Sequence, residues 1–355
     1  MSTMDKSLKE ITDYTADDAK FMEMAINLSI DNIDTGGGPF GAVIVKDGTV
    51  IGRGFHRKAG EAHAEINALR DAADHNHDPR GATIYVTLEP CSTYGRTPPC
   101  TEAIIKAGIT KVVIGALDPN PKHAGRGVTL LEKHGIECIC GVENRACCDL
   151  NRHFFRWISS GKPFVILKMA VTLDGKTAAP NGESRWVTGS EARRRVQQLR
   201  RLADAIMVGG NTLRTDHPQL TVREPENWQH QPLRIIASST LTDDELAEYF
   251  PDGRAETVNL PEPEDWEKYL LALGARNISV LLIEGGSELA SSAIKAGAVD
   301  MVEFHIAPKI LGGRNSIPAL GGIDPSGMAD ALPLRDVTIT RYGDDIGIQG
   351  FLREY

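Results

Sequence analysis

The sequence predicts an α/β fold divided into two domains. Short apolar stretches such as 83–88 and 111–115 indicate strands, and they alternate with helical patterns such as 64–73 and 128–134. A second series of the same kind begins at Pro163. Strands that alternate with helices are typical of a layered sheet, and 355 residues are enough for two separate cores.

We predict a first domain over residues 14–145, a connector over 146–161 and a second domain over 162–355. The stretch 240–266 is acidic and interrupted by prolines, so we expect it to be peripheral. The strands predicted for the second domain are 205–208, 233–236, 280–283 and 302–306.

Composition and charge limit the classes of function. A formal net charge of −9 gives no general attraction to nucleic acid. No apolar run approaches the ~20 residues of a membrane span, and the first residues show no signal-peptide pattern. We therefore expect a cytoplasmic protein whose partners are small molecules, with neither nucleic acid nor a membrane among them. The sequence leaves a homo-oligomer open.

One histidine, two cysteines and a carboxylate form the most informative motif. His63-Ala64-Glu65 begins a predicted helix, Pro90-Cys91 follows a predicted strand, and Cys100 begins another helix. One imidazole and two thiolates leave the fourth position of tetrahedral zinc open for water, whose pKa zinc lowers toward ~7. Glu65 is close enough in sequence to carry a proton from that water to a leaving amine, as in zinc deaminases that act on bases. We predict His63, Cys91 and Cys100 as zinc ligands and Glu65 as the catalytic acid and base.

Each part of this motif has a simpler interpretation when taken alone. A lone His-x-Glu is typical of a solvated helix start, and Pro-Cys is weak evidence by itself; their order and spacing favour the deaminase. A metal-stabilised scaffold without hydrolytic activity is the alternative, although a structural zinc has no use for Glu65. The remaining four of the six cysteines are interpreted as small packing residues: Cys138, Cys140, Cys147 and Cys148.

Two glycine turns follow predicted strands in the second domain. They are Gly209-Gly210 and Gly285-Gly286, and a strand, glycines and a helix start together can bind an anion. Neither turn is the Gly-x-Gly-x-x-Gly fingerprint, so ordinary strand-to-helix turns stay open as the alternative. Arg200 and Arg223 are candidates to clamp a substrate phosphate, with solvated surface positions as the alternative for each.

Further short motifs run along both halves of the chain. In the first half they are HAE at 63–65, TLEPCS at 87–92, GRTPPC at 95–100, DPNP at 118–121 and GRG at 125–127. In the second half they are LDGK at 173–176, SRWVT at 184–188, DAI at 204–206, DHPQLTVR at 216–223, EGG at 284–286 and APKILGG at 307–313. Through these motifs the chain resembles the family of bifunctional deaminase–reductases of riboflavin biosynthesis over nearly its whole length.

The resemblance implies a cytidine-deaminase-like three-layer domain followed by a dihydrofolate-reductase-like domain. It implies two reactions, with Zn²⁺ and NADPH as cofactors. The first is hydrolytic deamination of 2,5-diamino-6-(5-phosphoribosylamino)pyrimidin-4(3H)-one. The second is reduction of 5-amino-6-(5-phosphoribosylamino)uracil to the ribityl product, with hydride reaching C1′ of an open-chain imine.

The resemblance also implies roles for individual residues. Lys168 and Asp174 are candidates to orient or protonate the sugar in the reductase. The residues implied for NADPH are Ala170, Trp186, Thr212, Asp216, Ser239 and Gly286. The residues implied for the two substrates are His56, Lys168, Asp174, Ser184, Arg200, Leu220, Arg223 and Glu284.

Two positions depart from the family pattern around the base. Where the family usually has Pro-Asn-Pro-x-Val-Gly, this chain has the run 36–41, GGGPFG, which lacks the asparagine expected to bond the pyrimidine. Thr93 stands where a histidine is common. A site that loses such a polar group loses much of its selectivity. A deaminase half altered toward another base or toward nucleic acid is therefore an alternative, as is a zinc scaffold in which the reductase alone is active.

Overall fold

The structure, a computed structural model, describes residues 14–30, 38–57, 60–94, 98–120 and 123–353. It divides into two compact units, with the boundary after Ser159. Strands and helices alternate in both units, so the predicted α/β class is confirmed. The predicted connector, 146–161, carries most of two short helices, which belong almost entirely to the N-terminal unit.

The N-terminal unit is a layered sheet. Its helices are α1 (Ala16–Ile30), α2 (Ala64–Asp74), α3 (Cys100–Lys106), α4 (Arg126–Lys133), α5 (Asn144–Leu150) and α6 (Arg152–Ser160). Its strands are β1 (Gly41–Lys46), β2 (Thr49–Phe55), β3 (Thr83–Leu88), β4 (Lys111–Ala116) and β5 (Glu137–Cys140). They form one sheet in the order β2-β1-β3-β4-β5, in which β3, β4 and β5 are parallel and β1 is antiparallel to both neighbours.

Strand alternation sends apolar side chains to both faces of this sheet. Ile44 and Ile84 pack with α2, α3 and α4, while Val43 and Val113 pack with α1 and α5 on the other face. A buried sheet between two helical layers results, as the resemblance implies. The parallel strands end at one edge, which is where ligand-binding residues collect in α/β sheets.

The C-terminal unit is built on a larger sheet. Its helices are α7 (Ser190–Leu202), α8 (Gly210–Asp216), α9 (Asp243–Tyr249), α10 (Pro263–Ala275) and α11 (Ser287–Lys295), with a 3₁₀ turn at Met328–Asp330. Its strands are β6 (Phe164–Thr172), β7 (Lys176–Ala178), β8 (Ala205–Gly209), β9 (Leu233–Ala237), β10 (Ala255–Val258), β11 (Val280–Glu284), β12 (Met301–Ala307), β13 (Ile317–Pro318), β14 (Arg335–Tyr342) and β15 (Asp345–Phe351).

Eight of these strands form one sheet in the order β10-β9-β8-β11-β6-β12-β15-β14. The six from β10 to β12 are parallel, and β15 and β14 extend the sheet in antiparallel fashion. Leu167 and Ile283 face α10 and α11, whereas Ile166 and Leu282 face α7, α8 and α9. The four predicted strands are β8, β9, β11 and β12.

The stretch 240–266 is only in part peripheral. Its strand β10 lies at the edge of the sheet, as expected, but Trp266 on α10 is 1% exposed and packs in the core. The indole N–H donates to the hydroxyl of Ser292 on α11 over 2.9 Å. Acidic residues surround Trp266 in sequence and lie on the outer face of the helix, which is why composition alone placed the whole stretch outside.

Candidate functional site

The side chains of His63, Cys91 and Cys100 meet in the N-terminal unit. His63 immediately precedes α2, Cys91 follows β3, and Cys100 is the first residue of α3. Nδ1 of His63 lies 3.6 Å from Sγ of Cys91 and 3.3 Å from Sγ of Cys100. The structure thus brings together the three residues predicted as ligands from sequence positions far apart.

This donor set fits a tetrahedral zinc ion. The three ligand atoms lie within 4.8 Å of one another, and zinc bond lengths of ~2.0–2.1 Å to nitrogen and ~2.3 Å to sulfur would separate two such ligands by roughly 3.5 Å. The backbone N–H of Cys100 donates to Sγ of Cys91 over 3.3 Å. Hydrogen bonding between the two thiol side chains lowers the pKa of Cys91 and raises that of Cys100, so the pair shares a proton that zinc binding would displace.

Glu65 is a buried carboxylate at the start of α2, beside these ligands. Burial is the main cause that raises the pKa of Glu65, and the charge of nearby Cys91 raises it further. The Cys100 side chain hydrogen-bonds the carboxylate. Glu65 is therefore close enough to exchange protons with a molecule at the metal centre.

Two glycines on β2 set the depth of α2. A Cβ on Gly54 would lie 2.1 Å from the carbonyl oxygen of Ala64, and one on Gly52 would lie 2.4 Å from that of Ala68. Side chains larger than hydrogen would collide with the helix backbone at both positions. The helix start, which carries Glu65, can lie this close to the sheet because these residues are glycines.

Aromatic rings border the metal centre. The ring of His56 lies 5.4 Å from that of His63, edge to face, and the Phe40 ring lies 5.4 Å from that of Phe154. Nδ1 of His56 lies 3.2 Å from the carbonyl oxygen of Ala62, so this nitrogen carries the hydrogen and Nε2 accepts. Phe154 comes from the predicted connector and packs within the N-terminal unit.

The loop that departs from the family pattern is hydrogen-bonded through two of its carbonyl groups. The backbone N–H of His56 donates to the carbonyl of Phe40 over 3.0 Å, and the Asn151 side chain donates to that of Pro39 over 3.3 Å. Thr93 is exposed. Gly36 and Gly37 lie outside the described residues, as do 95–97 and Pro121 of the matching runs.

Glu89 is a second buried carboxylate, one residue before Pro90. Its Oε2 accepts backbone N–H groups of Asp118 at 3.2 Å and Gly125 at 2.9 Å. Its Oε1 accepts those of Gly127 at 2.9 Å and Val128 at 3.4 Å. These bonds tie the start of α4 to the strand end that carries Cys91. The sequence motif contains Glu89, but nothing in its spacing reveals those partners.

The C-terminal unit contains a cavity of about 1540 Å³. Pockets for drug-sized ligands are ~300–1,000 Å³, so this one has room for a dinucleotide beside a second nucleotide. Gly209-Gly210 after β8 and Gly285-Gly286 after β11 line it. Gly286 has φ +88°, and a Cβ there would lie 3.4 Å from Oγ1 of Thr212. Such bare turns let a phosphate-bearing cofactor approach the backbone closely.

Nearly all predicted residues of the second domain line this cavity. The six predicted for NADPH do so: Ala170, Trp186, Thr212, Asp216, Ser239 and Gly286. Six predicted for substrate also do so: Lys168, Ser184, Arg200, Leu220, Arg223 and Glu284. Their roles stay predictions, because lining a cavity does not identify what each one binds.

Asp174 is absent from this lining among the described residues. Its carboxylate accepts the hydroxyl of Thr172 at 2.7 Å and the backbone N–H groups of Leu311 at 3.0 Å and Gly312 at 2.8 Å. The bond from Thr172 is the largest of the effects that lower the pKa of Asp174 to about 2. Its contacts hold together two turns. His56 belongs to the N-terminal unit.

Arg200 differs from both interpretations offered by the sequence. It is buried, and its guanidinium donates to both oxygens of Glu284, at 2.6 and 2.7 Å, and to the carbonyl of Thr221 at 3.0 Å. Burial alone would raise the pKa of Glu284, but Arg200 outweighs it and the pKa is lowered. Arg200 is therefore neither a solvated surface residue nor a free bidentate clamp. Arg223 is exposed.

Sequence reasoning missed a group of residues at the end of β9. Nη2 of Arg214 donates to Oγ1 of Thr240 over 3.3 Å, and the Thr240 backbone N–H donates to Oγ of Ser238 over 3.2 Å. All three line the cavity. In dinucleotide-binding sheets, an acidic residue near this position bonds the ribose 2′-hydroxyl, while an arginine accommodates a 2′-phosphate. Hydroxyl groups and an arginine after a predicted strand were the available signal.

A second missed group lies on β12. Arg195 of α7 donates from Nε and Nη2 to the two oxygens of Glu303, both at 2.9 Å, and Nε2 of His305 lies 2.9 Å from Oε1. Glu303 and His305 are buried. The sequence offered no signal for this cluster, because Arg195 of α7 meets Glu303 and His305 of β12 only in the folded chain.

The chemistry of the two units defines two classes of enzyme. Two protein-family models match the chain. The family described as "Cytidine and deoxycytidylate deaminase zinc-binding region" matches residues 15–116, and the family described as "RibD C-terminal domain" matches residues 163–348. The chain is therefore a zinc-dependent deaminase joined to an NADPH-dependent reductase. Among the described residues, no helix is both long and apolar enough to cross a membrane.

Relatives of known name match along most of their length. "Riboflavin biosynthesis protein RibD" of Actinobacillus pleuropneumoniae is 39% identical over 94% of each chain, and that of Synechocystis is 41% identical over 88% of this chain and 89% of the relative. A solved structure of Acinetobacter baumannii RibD is 36% identical, with a TM-score of 0.83 over 94% of this chain and 98% of that one. The chain belongs to the RibD family of riboflavin biosynthesis proteins.

A second solved structure is similarly close to this chain. It is a diaminohydroxyphosphoribosylaminopyrimidine deaminase/5-amino-6-(5-phosphoribosylamino)uracil reductase from Thermotoga maritima, 34% identical, with a TM-score of 0.82 over 94% of this chain and 98% of that one. The implied arrangement, a cytidine-deaminase-like domain followed by a dihydrofolate-reductase-like domain, is confirmed.

Replacing Glu89 tests the clamp, by which we mean its hydrogen bonds that tie the start of α4 to the strand end beside Cys91. We expect Glu89→Gln to lower the free energy of unfolding by about 2 kcal/mol, because an amide nitrogen would face backbone N–H donors that now share a carboxylate. Urea denaturation of the zinc-loaded protein measures this. Glu102→Gln on α3, whose carboxylate is exposed, is the control; equal losses in the two variants would contradict the clamp.

Proposed function

We propose that this chain performs two consecutive reactions of riboflavin biosynthesis. The N-terminal unit hydrolyses the amino group of 2,5-diamino-6-(5-phosphoribosylamino)pyrimidin-4(3H)-one and releases ammonia. The C-terminal unit reduces 5-amino-6-(5-phosphoribosylamino)uracil to the ribityl product with NADPH. The proposal follows the activities in the name of the Thermotoga maritima relative. The observation that carries it is the buried Glu65 beside one imidazole and two thiols.

In the deaminase, Glu65 moves the protons. Zinc held by His63, Cys91 and Cys100 would supply a water of lowered pKa at the amidine-like ring carbon. Glu65 accepts one proton of that water and passes it to the ring nitrogen. It then takes the remaining proton from the added hydroxyl and gives it to the amine, which leaves as ammonia with the electron pair of the broken C–N bond. The buried setting that raises its pKa suits a group that must both take and give protons. Nε2 of His56, whose ring lies 5.4 Å from that of His63, is the candidate to accept a hydrogen bond from the base.

In the reductase, Lys168 supplies the proton that opens the sugar. Its ammonium donates to the ring oxygen as the C1′–O bond breaks and that electron pair goes to the oxygen. The lone pair of the attached nitrogen forms the C1′=N bond. NADPH, when bound, supplies the hydride that reduces this carbon, and Lys168 regains its proton from water. The cavity residues that would hold NADPH are Ala170, Trp186, Thr212, Asp216, Ser239 and Gly286.

The remaining assignments concern the setting of these activities. We assign deamination to residues 14–145 and reduction to 162–355, with 146–161 between them, and we place the protein in the cytoplasm.

We also propose a homo-oligomer that pairs through β14. This edge strand is exposed along nearly its whole length, and Val337 and Ile339 present apolar side chains there, 51% and 68% exposed. Unpaired edges of this kind are usually protected.

Glu65→Gln separates the two activities. We expect ammonia release from the diaminopyrimidinone nucleotide to fall at least ~100-fold, because the proton carrier is gone. Zinc content and NADPH oxidation with the deaminated substrate should stay at wild-type values. An ammonia assay, elemental analysis and NADPH absorbance measure these. Undiminished deamination would overturn the role of Glu65, and inactivity of the wild type on both substrates would overturn the proposed function.

Arg214→Leu tests the choice of cofactor. A charged hydrogen bond to a 2′-phosphate is worth about 1.5–3 kcal/mol, so KM for NADPH should rise ~10-fold or more while KM for NADH changes little. Steady-state kinetics with both cofactors measure the ratio. Arg194→Leu, at an exposed position on α7, is the control. Equal changes for NADPH and NADH would show that Arg214 does not contact the phosphate.

Ile339→Asp tests the β14 contact. A charge in the centre of a paired apolar strand is costly to bury, so we expect this variant to sediment as a monomer where the wild type forms an oligomer. Lys268→Asp on α10 is the control and should leave the wild-type mass unchanged. Light scattering after gel filtration measures the mass. A wild-type monomer, or an unaffected oligomer in the variant, contradicts the proposed pairing.

A further inference from the structure

A row of charged side chains crosses the C-terminal sheet beneath α7. Glu284 of β11 and Glu303 of β12 are both register partners of Lys168 on β6, one on each side. Residues paired in parallel strands share a face and lie about 5 Å apart. Arg200 and Arg195 of α7 cover the two carboxylates. We call Arg200, Glu284, Lys168, Glu303 and Arg195 the charged row.

Both carboxylates of the row are already engaged. Arg200 bonds both oxygens of Glu284, and Arg195 bonds both oxygens of Glu303. Among the described residues, the Lys168 side chain makes no hydrogen bond or ion pair, and it lines the cavity. The three cations and two carboxylates leave one net positive charge, and the group that can offer it to a ligand is the Lys168 ammonium.

His305 completes the cluster without adding charge. Its Nε2 lies 2.9 Å from Glu303, and since a carboxylate accepts, Nε2 carries the hydrogen. Nδ1 is buried and has no hydrogen-bond partner among the described residues. Burial lowers the pKa of His305, which favours the neutral ring. His305 therefore holds the carboxylate in place while the net charge of the row is unchanged.

We propose that Glu303 is a positioning residue for the reductase, which keeps Lys168 protonated and directed into the cavity through its place between Arg195, His305 and Lys168. The inference rests on the proposed function, in which Lys168 donates the proton that opens the sugar. Glu303 is absent from the cavity lining among the described residues, so it acts through Lys168 and not on substrate or cofactor directly.

The balance of charges around Lys168 gives the direction of its effect. Burial lowers the pKa of Lys168, and Arg200 lowers it further, whereas Glu284 and Glu303 raise it. Arg195 and Arg223 are the further cations near the row, and His305 is neutral. Tyr342 of β14 also faces Glu303 and Arg195, and burial is the main cause that raises its pKa. Removing the charge of Glu303 would leave Arg195 uncompensated beside Lys168, so the ammonium would lose its proton at lower pH. Removing the charge of Arg195 would act in the opposite direction.

Two single variants with opposite expected signs test this inference. In Glu303→Gln, the alkaline limb of the kcat–pH profile for NADPH oxidation should move to lower pH by about one unit, the size of a nearby-charge effect. In Arg195→Gln, it should move to higher pH. Structural damage lowers kcat without reversing the direction of a titration. If Glu303→Gln fails to fold, the shift in Arg195→Gln alone decides.

Glu256→Gln is the matched control. Glu256 on β10 also accepts both guanidinium nitrogens of an arginine, Arg276, at 2.9 Å, and a ring hydroxyl from Tyr269 at 2.7 Å. It is absent from the lining of the cavity among the described residues. Its alkaline limb should match that of the wild type. A shift as large as that of Glu303→Gln would overturn the inference.

A second readout does not need turnover. Competitive acetylation with trace acetic anhydride, read by mass spectrometry, reports the pKa of Lys168 in the full-length zinc-loaded enzyme. We expect the midpoint of Lys168 labelling to move in the same directions as the kinetic limbs. Unmoved midpoints in both variants would overturn the inference while the wild-type activity leaves the proposed function intact. If the wild type fails to oxidise NADPH with the uracil nucleotide, the function falls, and the labelling still judges the role of Glu303.

Discussion

The alignment of parallel strands, which puts side chains of neighbouring strands at the same position along the sheet, is the constraint on which both sites depend. Along β6 and β11, Ile166 and Leu282 face α7 as part of the apolar core, and two residues later Lys168 and Glu284 occupy the same face. On both strands, the side chains that face α7 therefore change from apolar to charged at the same position in the register. The same geometry in the N-terminal sheet puts Cys91 just beyond β3, within reach of the start of α2.

Buried charged side chains require partners, and α7 supplies them for Glu284 and Glu303. Arg195 and Arg200 reach Glu303 and Glu284, so each buried carboxylate is compensated where the sheet meets the helix. Breaking one partner of a buried pair is costly because the other is left uncompensated. Because the arginines hold both carboxylates, Glu284 and Glu303 can flank Lys168 without forming an ion pair with it. The Lys168 ammonium is then available to a ligand in the cavity.

The sequence was sufficient for features encoded by local order. The spacing of His63, Cys91 and Cys100 predicted a cluster that the structure assembles, and alternating strands and helices predicted both layered units. Contacts between elements far apart in the sequence were beyond it. Arg200 was interpreted as a surface residue or a phosphate clamp because its partner, Glu284, follows eighty-four positions later and meets it only where α7 packs on β11. The same holds for Glu303 with Arg195, and for Glu89 with the amides of α4. Trp266 shows a further limit, since acidic neighbours hid its inward-facing position.

The two glycines of β2 limit how the deaminase half can diversify. With Gly54 against Ala64 and Gly52 against Ala68, helix and strand touch backbone to backbone, and even a methyl group would push them apart. His63 and Glu65 would then shift together relative to the strand ends that hold Cys91. Variation in base preference is free to accumulate around Phe40 and Thr93, which lie outside this contact. His63 and Glu65 can thus keep their positions while the residues around Phe40 and Thr93 change, so an unusual loop is compatible with unchanged hydrolytic chemistry.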